Sequence, residues 1–375
     1  MHLRKEIVGK FFERGYMLTP EALEFLAGSK NYEKMLSAVE GADKMVIDKE
    51  DFLNFSQPES VRIVKNLTSM PAELTPELFN RFLLSKLDGM KKIFLERTDK
   101  NFMSLDKLDN SRQEVFVIGM VREIVTEEGK MTIEIEDITR ALPVVFTNYQ
   151  PKIAVEEDDV VAIGGTGSKE MIFGKEILYP DVPLREPAKG TGKICIISDL
   201  HMDEAPLGRL TSFLKWIEKE DIKYLLVAGD TTDLRKFSEI VLQYAPSKTI
   251  FLIPGNIESS SYPALPLDIK SDHIISLSNP SMININGINI LLCHDFDIKY
   301  LKKRYLGKSK LVFENDYLAL DEIPDIVACG HTHEPLVSNY KSITIANPGS
   351  LLADFKPVLI DLATRDAKQL SFEEE

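Results

Sequence analysis

Seven residues in the second half of the chain carry donor atoms suited to metal ions: Asp199, His201, Asp230, Asn256, His294, His331 and His333. Each stands just beyond a short apolar run. Ile194-Cys195-Ile196-Ile197-Ser198 leads into Asp199 and His201, and Tyr224-Leu225-Leu226-Val227-Ala228 leads into Gly229-Asp230. Ile250-Phe251-Leu252-Ile253 leads into Gly255-Asn256, Ile288 through Cys293 into His294, and Ile326-Val327-Ala328-Cys329 into Gly330-His331-Thr332-His333. The donors are carboxylates, an amide oxygen and imidazoles, with no thiolate among them, a mix that suits two hard or borderline divalent ions better than a structural zinc. Two such ions about 3.5–4 Å apart need a bridging carboxylate, and the Gly229-Asp230 turn is placed to provide it. Paired ions lower the pKa of a bridging water and clamp phosphate oxygens during in-line displacement, so the chemistry expected is phosphoester hydrolysis.

Strands of an open α/β sheet present their carboxyl ends to one crevice, which is how ligands spread over more than a hundred residues converge. Alternation within an extended segment lets Asp199 and His201, and likewise His331 and His333, face the same side. The expected fold for residues 189–375 is therefore α/β, with helices between strands such as the one patterned by Leu210, Phe213, Leu214 and Ile217. Upstream, residues 1–55 read as a small helical domain. Leu3, Ile7, Val8, Phe11 and Phe12 lie at helical spacing, Thr19-Pro20 marks a second helix start, and a third helix is expected over 31–39. Residues 56–75, with Pro58 and Pro71, read as a linker. Residues 76–188 read as one helix followed by five short strands, the pattern of an OB-type barrel. Met131, Ile133 and Ile135 alternate there with Thr132, Glu134 and Glu136, leaving an acidic outer face better matched to packing or protein contact than to nucleic acid.

At 375 residues two or three domains are expected, and 44% hydrophobic with 28% charged residues is ordinary for a globular protein. Cys195, Cys293 and Cys329 all fall in apolar runs, an odd count that reads as reduced thiols and a cytoplasmic location. The first residues lack the apolar stretch of a signal peptide, and no segment approaches the roughly 20 apolar residues of a membrane span. A net charge of −14 disfavours unassisted binding to a phosphate backbone. The one basic concentration, Lys299, Lys302, Lys303, Arg304, Lys308 and Lys310, reads either as a DNA-steering patch or as a solvated helix face. Asp233, Glu258 and Asp295 read as partners that orient ligand imidazoles, and His273 as structural.

Asp199-Leu200-His201, Gly229-Asp230-Thr231-Thr232-Asp233, Gly255-Asn256, His294, Gly330-His331-Thr332-His333 and the later Asn347-Pro348-Gly349-Ser350 resemble the ordered motifs of the calcineurin-like metallophosphoesterases. The resemblance implies that Asp199, His201, Asp230 and His333 hold one ion and Asp230, Asn256, His294 and His331 the other. It marks Asp230, Asn256 and His294 as catalytic and implies a β-sandwich with flanking helices for residues 189–375. Manganese is the expected ion, with zinc, iron or magnesium as alternatives. With the helical start Gly15-Tyr16-Met17-Leu18-Thr19-Pro20 and the Pro180-Asp181-Val182-Pro183 junction, the whole architecture resembles the small subunit of archaeal D-family DNA polymerases. That family implies a 3′→5′ proofreading exonuclease, a DNA 3′ end as substrate, and a large polymerase subunit as partner. Two departures stand out. Ile257 replaces the usual histidine of the third motif, a group thought to protonate the leaving oxygen, and Asp295 replaces a common glycine. A second reading is thus a scaffold subunit with impaired catalysis, and a third is a free-standing phosphodiesterase.

Overall fold

The computed structural model describes residues 2–28, 45–49, 60–73, 75–309 and 311–374. It opens with two short helices, α1 (His2–Glu13) and α2 (Pro20–Gly28), and with β1 (Met17–Leu18) paired in parallel to β2 (Val46–Ile47). Gly15 turns the chain out of α1 at a φ of +86°. The Thr19 hydroxyl accepts from the Ala22 amide at 3.2 Å and caps α2, with Pro20 at its first turn. Ile7 and Phe11, four residues apart, are buried with Ala22, Leu26 and Ile47, while Val8 and Phe12 on the neighbouring face are exposed. The helix expected over 31–39 lies outside the described residues.

The stretch read as a linker contributes a strand. β3 (Val61–Lys65) pairs antiparallel with a strand of the carboxyl-terminal domain, Ile63 opposite Ile283 and Val61 opposite Ile285. Side chains of Asn66 and Ser278 then bond across to the Ser278 and Leu67 amides at 2.7 and 2.8 Å. At a sheet edge Val61 and Ile63 are exposed, so no apolar run announces the strand.

α3 (Pro76–Arg97) starts at an N-cap, the Thr75 hydroxyl accepting from Leu78 N at 3.2 Å. Its Leu87, Met90, Ile93 and Phe94 pack on Ile118, Met120, Val160 and Ala162 of a closed five-stranded barrel. The barrel strands are β4 (Gln113–Glu127), β5 (Lys130–Glu136), β6 (Ala141–Thr147), β7 (Val160–Gly167) and β8 (Ile172–Leu178), closing in the order β4-β5-β6-β8-β7. Met131, Ile133 and Ile135 point into its core, opposite to Thr132, Glu134 and Glu136. A register shift between Val121 and Glu123 bends β4 so that one long strand closes against both β5 and β7.

The remaining chain forms two packed six-stranded sheets. The first has the order β12-β11-β10-β9-β18-β19, built from β9 (Lys193–Ile197), β10 (Tyr224–Val227), β11 (Thr249–Leu252), β12 (Ile274–Ser276), β18 (Val358–Asp361) and β19 (Ala367–Gln369). The second has the order β16-β17-β15-β14-β13-β3. Its strands are β13 (Ser281–Ile285), β14 (Ile288–Leu292), β15 (Ile326–Ala328), β16 (Leu336–Tyr340) and β17 (Ile343–Asn347), with β3 at the edge. Ile194, Ile196 and Leu226 meet Ile283, Ile290 and Leu292 between the sheets. The alternate residues Cys195, Ile197, Leu225 and Val227 pack under α4 (Gly208–Lys219) and α5 (Leu234–Tyr244). Strands covered on both faces must be apolar at every position, and this is why the runs before the donors do not alternate.

A short helix, α6 (Ile298–Lys303), faces the barrel. Lys303 Nζ lies 2.8 Å from Asp159 and 3.5 Å from Glu156, and Lys299 Nζ lies 3.4 Å from Glu156. Tyr179 donates to the same Asp159 carboxylate at 2.7 Å. At the junction Asp181 accepts from Tyr340 at 3.0 Å and from Lys341 at 2.8 Å, and Val182 is buried.

Candidate metal centre

β9, β10 and β11 run parallel in one sheet, and β14, β15 and β17 run parallel in the other. The carboxyl ends of both triplets open on one crevice, and all seven candidate donors gather there. His201 Nε2 lies 3.2 Å from His333 Nε2, and His333 Nε2 lies 3.3 Å from Asp199 Oδ1. Beside them, His294 Nε2 is 3.3 Å from Asp230 Oδ2 and 3.0 Å from Asn256 Oδ1, which is itself 2.8 Å from His331 Nδ1. Asp199 and Asp230 are the buried centre of the group, with Asp199, Asp230 and His294 mutually in reach.

The loops that carry these side chains are held in uncommon backbone shapes. Asp199, His201, Asp230, His331 and His333 all have positive φ, between 43° and 70°. Three glycines let the backbones close in. A Cβ on Gly255 would fall 2.0 Å from Asp230 Oδ1, one on Gly330 2.3 Å from Asp199 Oδ2, and one on Gly229 2.6 Å from His294 Nδ1. The turns are also tied to each other: Asp199 N donates to Gly229 O, His201 N to Asp230 O and Gly330 N to His294 O, each at 3.0 Å. Ser350 Oγ donates to Asp199 O at 3.0 Å, and Asn347 Nδ2 donates to Gly330 O at 2.8 Å.

The donor chemistry tests whether a cation belongs here. His294 Nδ1 lies 2.7 Å from the Ala228 carbonyl, which can only accept, so that nitrogen carries the proton. That leaves Nε2 as the ring nitrogen that faces Asp230 Oδ2 and Asn256 Oδ1. A carboxylate oxygen, an amide oxygen and an imidazole nitrogen converge there, a donor set that fits a metal ion once the ring gives up its second proton. Burial pushes the Asp199 carboxyl up, and the neighbouring Asp230 charge adds to it. Burial acts the same way on Asp230, but the bond and charge of His294 outweigh it and hold that carboxyl below its ordinary range. For His294 burial pulls down, while Asp230 and Asp199 together raise it. In each case buried negative charge seeks a positive partner.

Three carboxylates expected to orient imidazoles do other work. Glu258 accepts from the backbone amides of Gly255 at 2.7 Å, Thr232 at 2.7 Å and Asp230 at 3.1 Å, and so clamps two ligand loops together. Asp233 caps α5, accepting from Lys236 N at 2.9 Å. Asp295 is exposed and lines a cavity of about 260 Å³ bordered by Asn256, His294 and His331. Sequence reasoning missed the Asp203–Thr232 bond of 2.5 Å beside His201, which nothing in the spacing signals. Ile257 is 52% exposed, and its amide donates to Asp230 Oδ1 at 3.0 Å. His273 stands apart from the donors, its carbonyl accepting from Ile250 N at 2.8 Å.

Most of the basic run is committed to neighbouring groups. Lys299 and Lys303 end on Glu156 and Asp159, and Arg304 is buried with its guanidinium on the Leu320 and Asp321 carbonyls at 2.7 Å. Lys302 lies over the Tyr340 ring, Lys308 lines the 260 Å³ cavity, and Lys310 is outside the described residues. The three cysteines are free and buried, and burial pushes the Cys293 thiol up to about 12. Among the described residues no helix is long and apolar enough to cross a membrane.

Residues 193–368 match the calcineurin-like phosphoesterase superfamily domain. Over most of its length the chain is similar to archaeal DNA polymerase II small subunits. It is 23% identical to that of Thermoplasma acidophilum, covering 92% of this chain and 85% of that protein. It is 24% identical to that of Archaeoglobus fulgidus, covering 91% and 90%. Among solved structures, vacuolar protein sorting 29 from Cryptosporidium parvum is similar at 18% identity and a TM-score of 0.31, over 50% of this chain and 100% of that one.

Proposed function

We propose that the chain is the small subunit of an archaeal-type DNA polymerase and that its phosphoesterase domain is a two-metal 3′→5′ DNA exonuclease. The observation that carries the reading is the facing of bare donors: two buried carboxylates, an amide oxygen and four imidazoles aim at one crevice. Asp199, His201, Asp230 and His333 would hold one ion, and Asp230, Asn256, His294 and His331 the other, with manganese the expected metal. Bound there, two divalent ions supply Lewis acidity and an activated water for attack on a phosphodiester.

The chain's own part is positioning. Ala228 O takes the Nδ1 proton of His294, so that Nε2 is the nitrogen turned toward the ligand space. Glu258 sets the Asp230 turn against the Gly255-Asn256 turn. Asp230 Oδ1 is anchored on the Ile257 amide, which leaves Oδ2 to reach the shared space. We read the barrel as OB-type and as a packing and protein-contact module, because the outer side of β5 carries Glu134 and Glu136. Its partner is the large polymerase subunit.

One observation favours the scaffold reading. Ile257 places a hydrocarbon where a leaving-group acid would serve, and losing such an acid costs a factor of about 10²–10⁴. The test is degradation of 3′-labelled single-stranded DNA in manganese by the wild type, Asp230→Asn and Ile257→His. Wild-type activity that vanishes in Asp230→Asn supports the exonuclease. Silence in the wild type with recovery in Ile257→His rejects it in favour of a scaffold with an intact cradle.

A further inference from the structure

Lys308 separates from the rest of the basic run in its surroundings. Lys299 and Lys303 are committed to Glu156 and Asp159, whereas Lys308 is exposed and has no ion-pair partner among the described residues. With Tyr300 it borders two spaces: the 260 Å³ cavity beside Asn256, His294 and His331, and a 200 Å³ cavity at the junction with the barrel. The first cavity otherwise presents Asp295 to whatever enters it, with Asp230 behind His294. A phosphate approaching through it meets carboxylates in a chain of net charge −14, and Lys308 is the cation lining that approach.

We propose that Lys308 binds a backbone phosphate of the DNA strand whose 3′ end reaches Asn256, His294 and His331, with the strand entering past Tyr300. This rests on the exonuclease reading and adds the route and the anchoring group. An ammonium on a flexible stem suits this task, because it follows a phosphate as a point charge without demanding one geometry. Each phosphate contact on a single strand contributes about 0.7 to the slope of log affinity against log salt.

The test uses the full chain loaded with manganese and a 5′-labelled oligothymidine with phosphorothioate linkages at its 3′ end. Affinity is read by fluorescence anisotropy over a salt series. Lys308→Ala is expected to weaken binding about fivefold at low salt and to flatten the slope by about 0.7, with manganese content equal to the wild type. Lys308→Arg is expected to keep the slope. Lys302→Ala removes the same charge from a side chain that lies over the Tyr340 ring and borders neither cavity, and is expected to leave the slope unchanged. An unaltered slope in Lys308→Ala, an equal loss in Lys302→Ala, or a fall in metal content would each overturn the assignment. If the wild type degrades unmodified DNA and Lys308→Ala binds as it does, only the anchoring role fails. If the wild type neither binds nor degrades the strand, the exonuclease reading fails with it.

Discussion

Removing the Glu258 carboxylate is the sharpest test of how the cradle is held. One side chain accepts three backbone amides, from Asp230, Thr232 and Gly255; the first two sit at positive φ and the third lies against a ligand carboxylate. Hydrogen bonds to a charged acceptor contribute about 1.5–3 kcal/mol each, and losses that share one group do not add fully. Glu258→Ala should therefore destabilise the metal-free protein by about 3–5 kcal/mol, roughly 6–20 °C in the unfolding midpoint of a domain this size. Glu258→Gln keeps one oxygen but turns an amide donor on another donor, so about half the loss is expected. The assay is thermal unfolding in chelator, with Glu239→Ala as the comparison. Among the described residues Glu239 pairs only with exposed Arg235, and such pairs contribute at most about 1 kcal/mol. Manganese affinity measured by titration calorimetry should fall about 10–100-fold in Glu258→Ala. A midpoint within about 2 °C of the wild type, with unchanged manganese affinity, would mean that water replaces the carboxylate and that the clamp is incidental.

Gly255→Ala should abolish binding of the second manganese equivalent, since its Cβ would lie 2.0 Å from Asp230 Oδ1, and calorimetry of the purified variant reads this directly. Lys303→Ala leaves Asp159 and Glu156 facing each other under the barrel and should lower the unfolding midpoint by several degrees without altering metal content. The same clasp has a pH signature. Burial alone would raise the Glu156 carboxyl, but the charges of Lys303 and Lys299 outweigh it and hold it below its ordinary value. Its contribution is therefore complete above the unfolded value of 4.5 and is lost as pH falls through the lower folded one, so Lys303→Ala should flatten the acid limb of a urea-midpoint profile. All three thiols should resist maleimide at neutral pH in the native protein and react together in denaturant, because Cys195, Cys293 and Cys329 are buried.

What the sequence made legible depended on how local the physics was. The strand-end placement of the seven donors followed from runs apolar at every position, and such runs need no partner to be recognised. The alternation at Met131, Ile133 and Ile135 and the Thr75-Pro76 helix start are local in the same way. β3 was hidden because its pairing belongs to β13, and its own residues, half exposed at an edge, look like any polar connection. The basic run misled for the same reason: its partners, Glu156 and Asp159, lie in a barrel loop far upstream. Glu258 looked like one more acid near a metal, and only the fold shows it reaching back to the amides of another loop.

The backbone of the cradle bears on the choice between exonuclease and scaffold. Five donor-bearing residues, none of them glycine, are held at positive φ, and sparsely populated conformations of this kind cost about 1–3 kcal/mol each. Asp and His tolerate the left-handed region better than branched residues do, which puts these five near the lower end of that range. Even so the total approaches the whole net stability of an ordinary domain, about 5–15 kcal/mol. A surface that only docks a partner gains nothing from turning buried carboxylates and bare imidazole nitrogens toward one another. Bound ions do gain from it, because they offset both the strain and the converging lone pairs. The cradle is thus arranged for metal whatever Ile257 has done to the rate. Under the exonuclease reading the substitution would touch the departing oxygen alone, since the residue's amide still anchors Asp230 while its side chain is exposed.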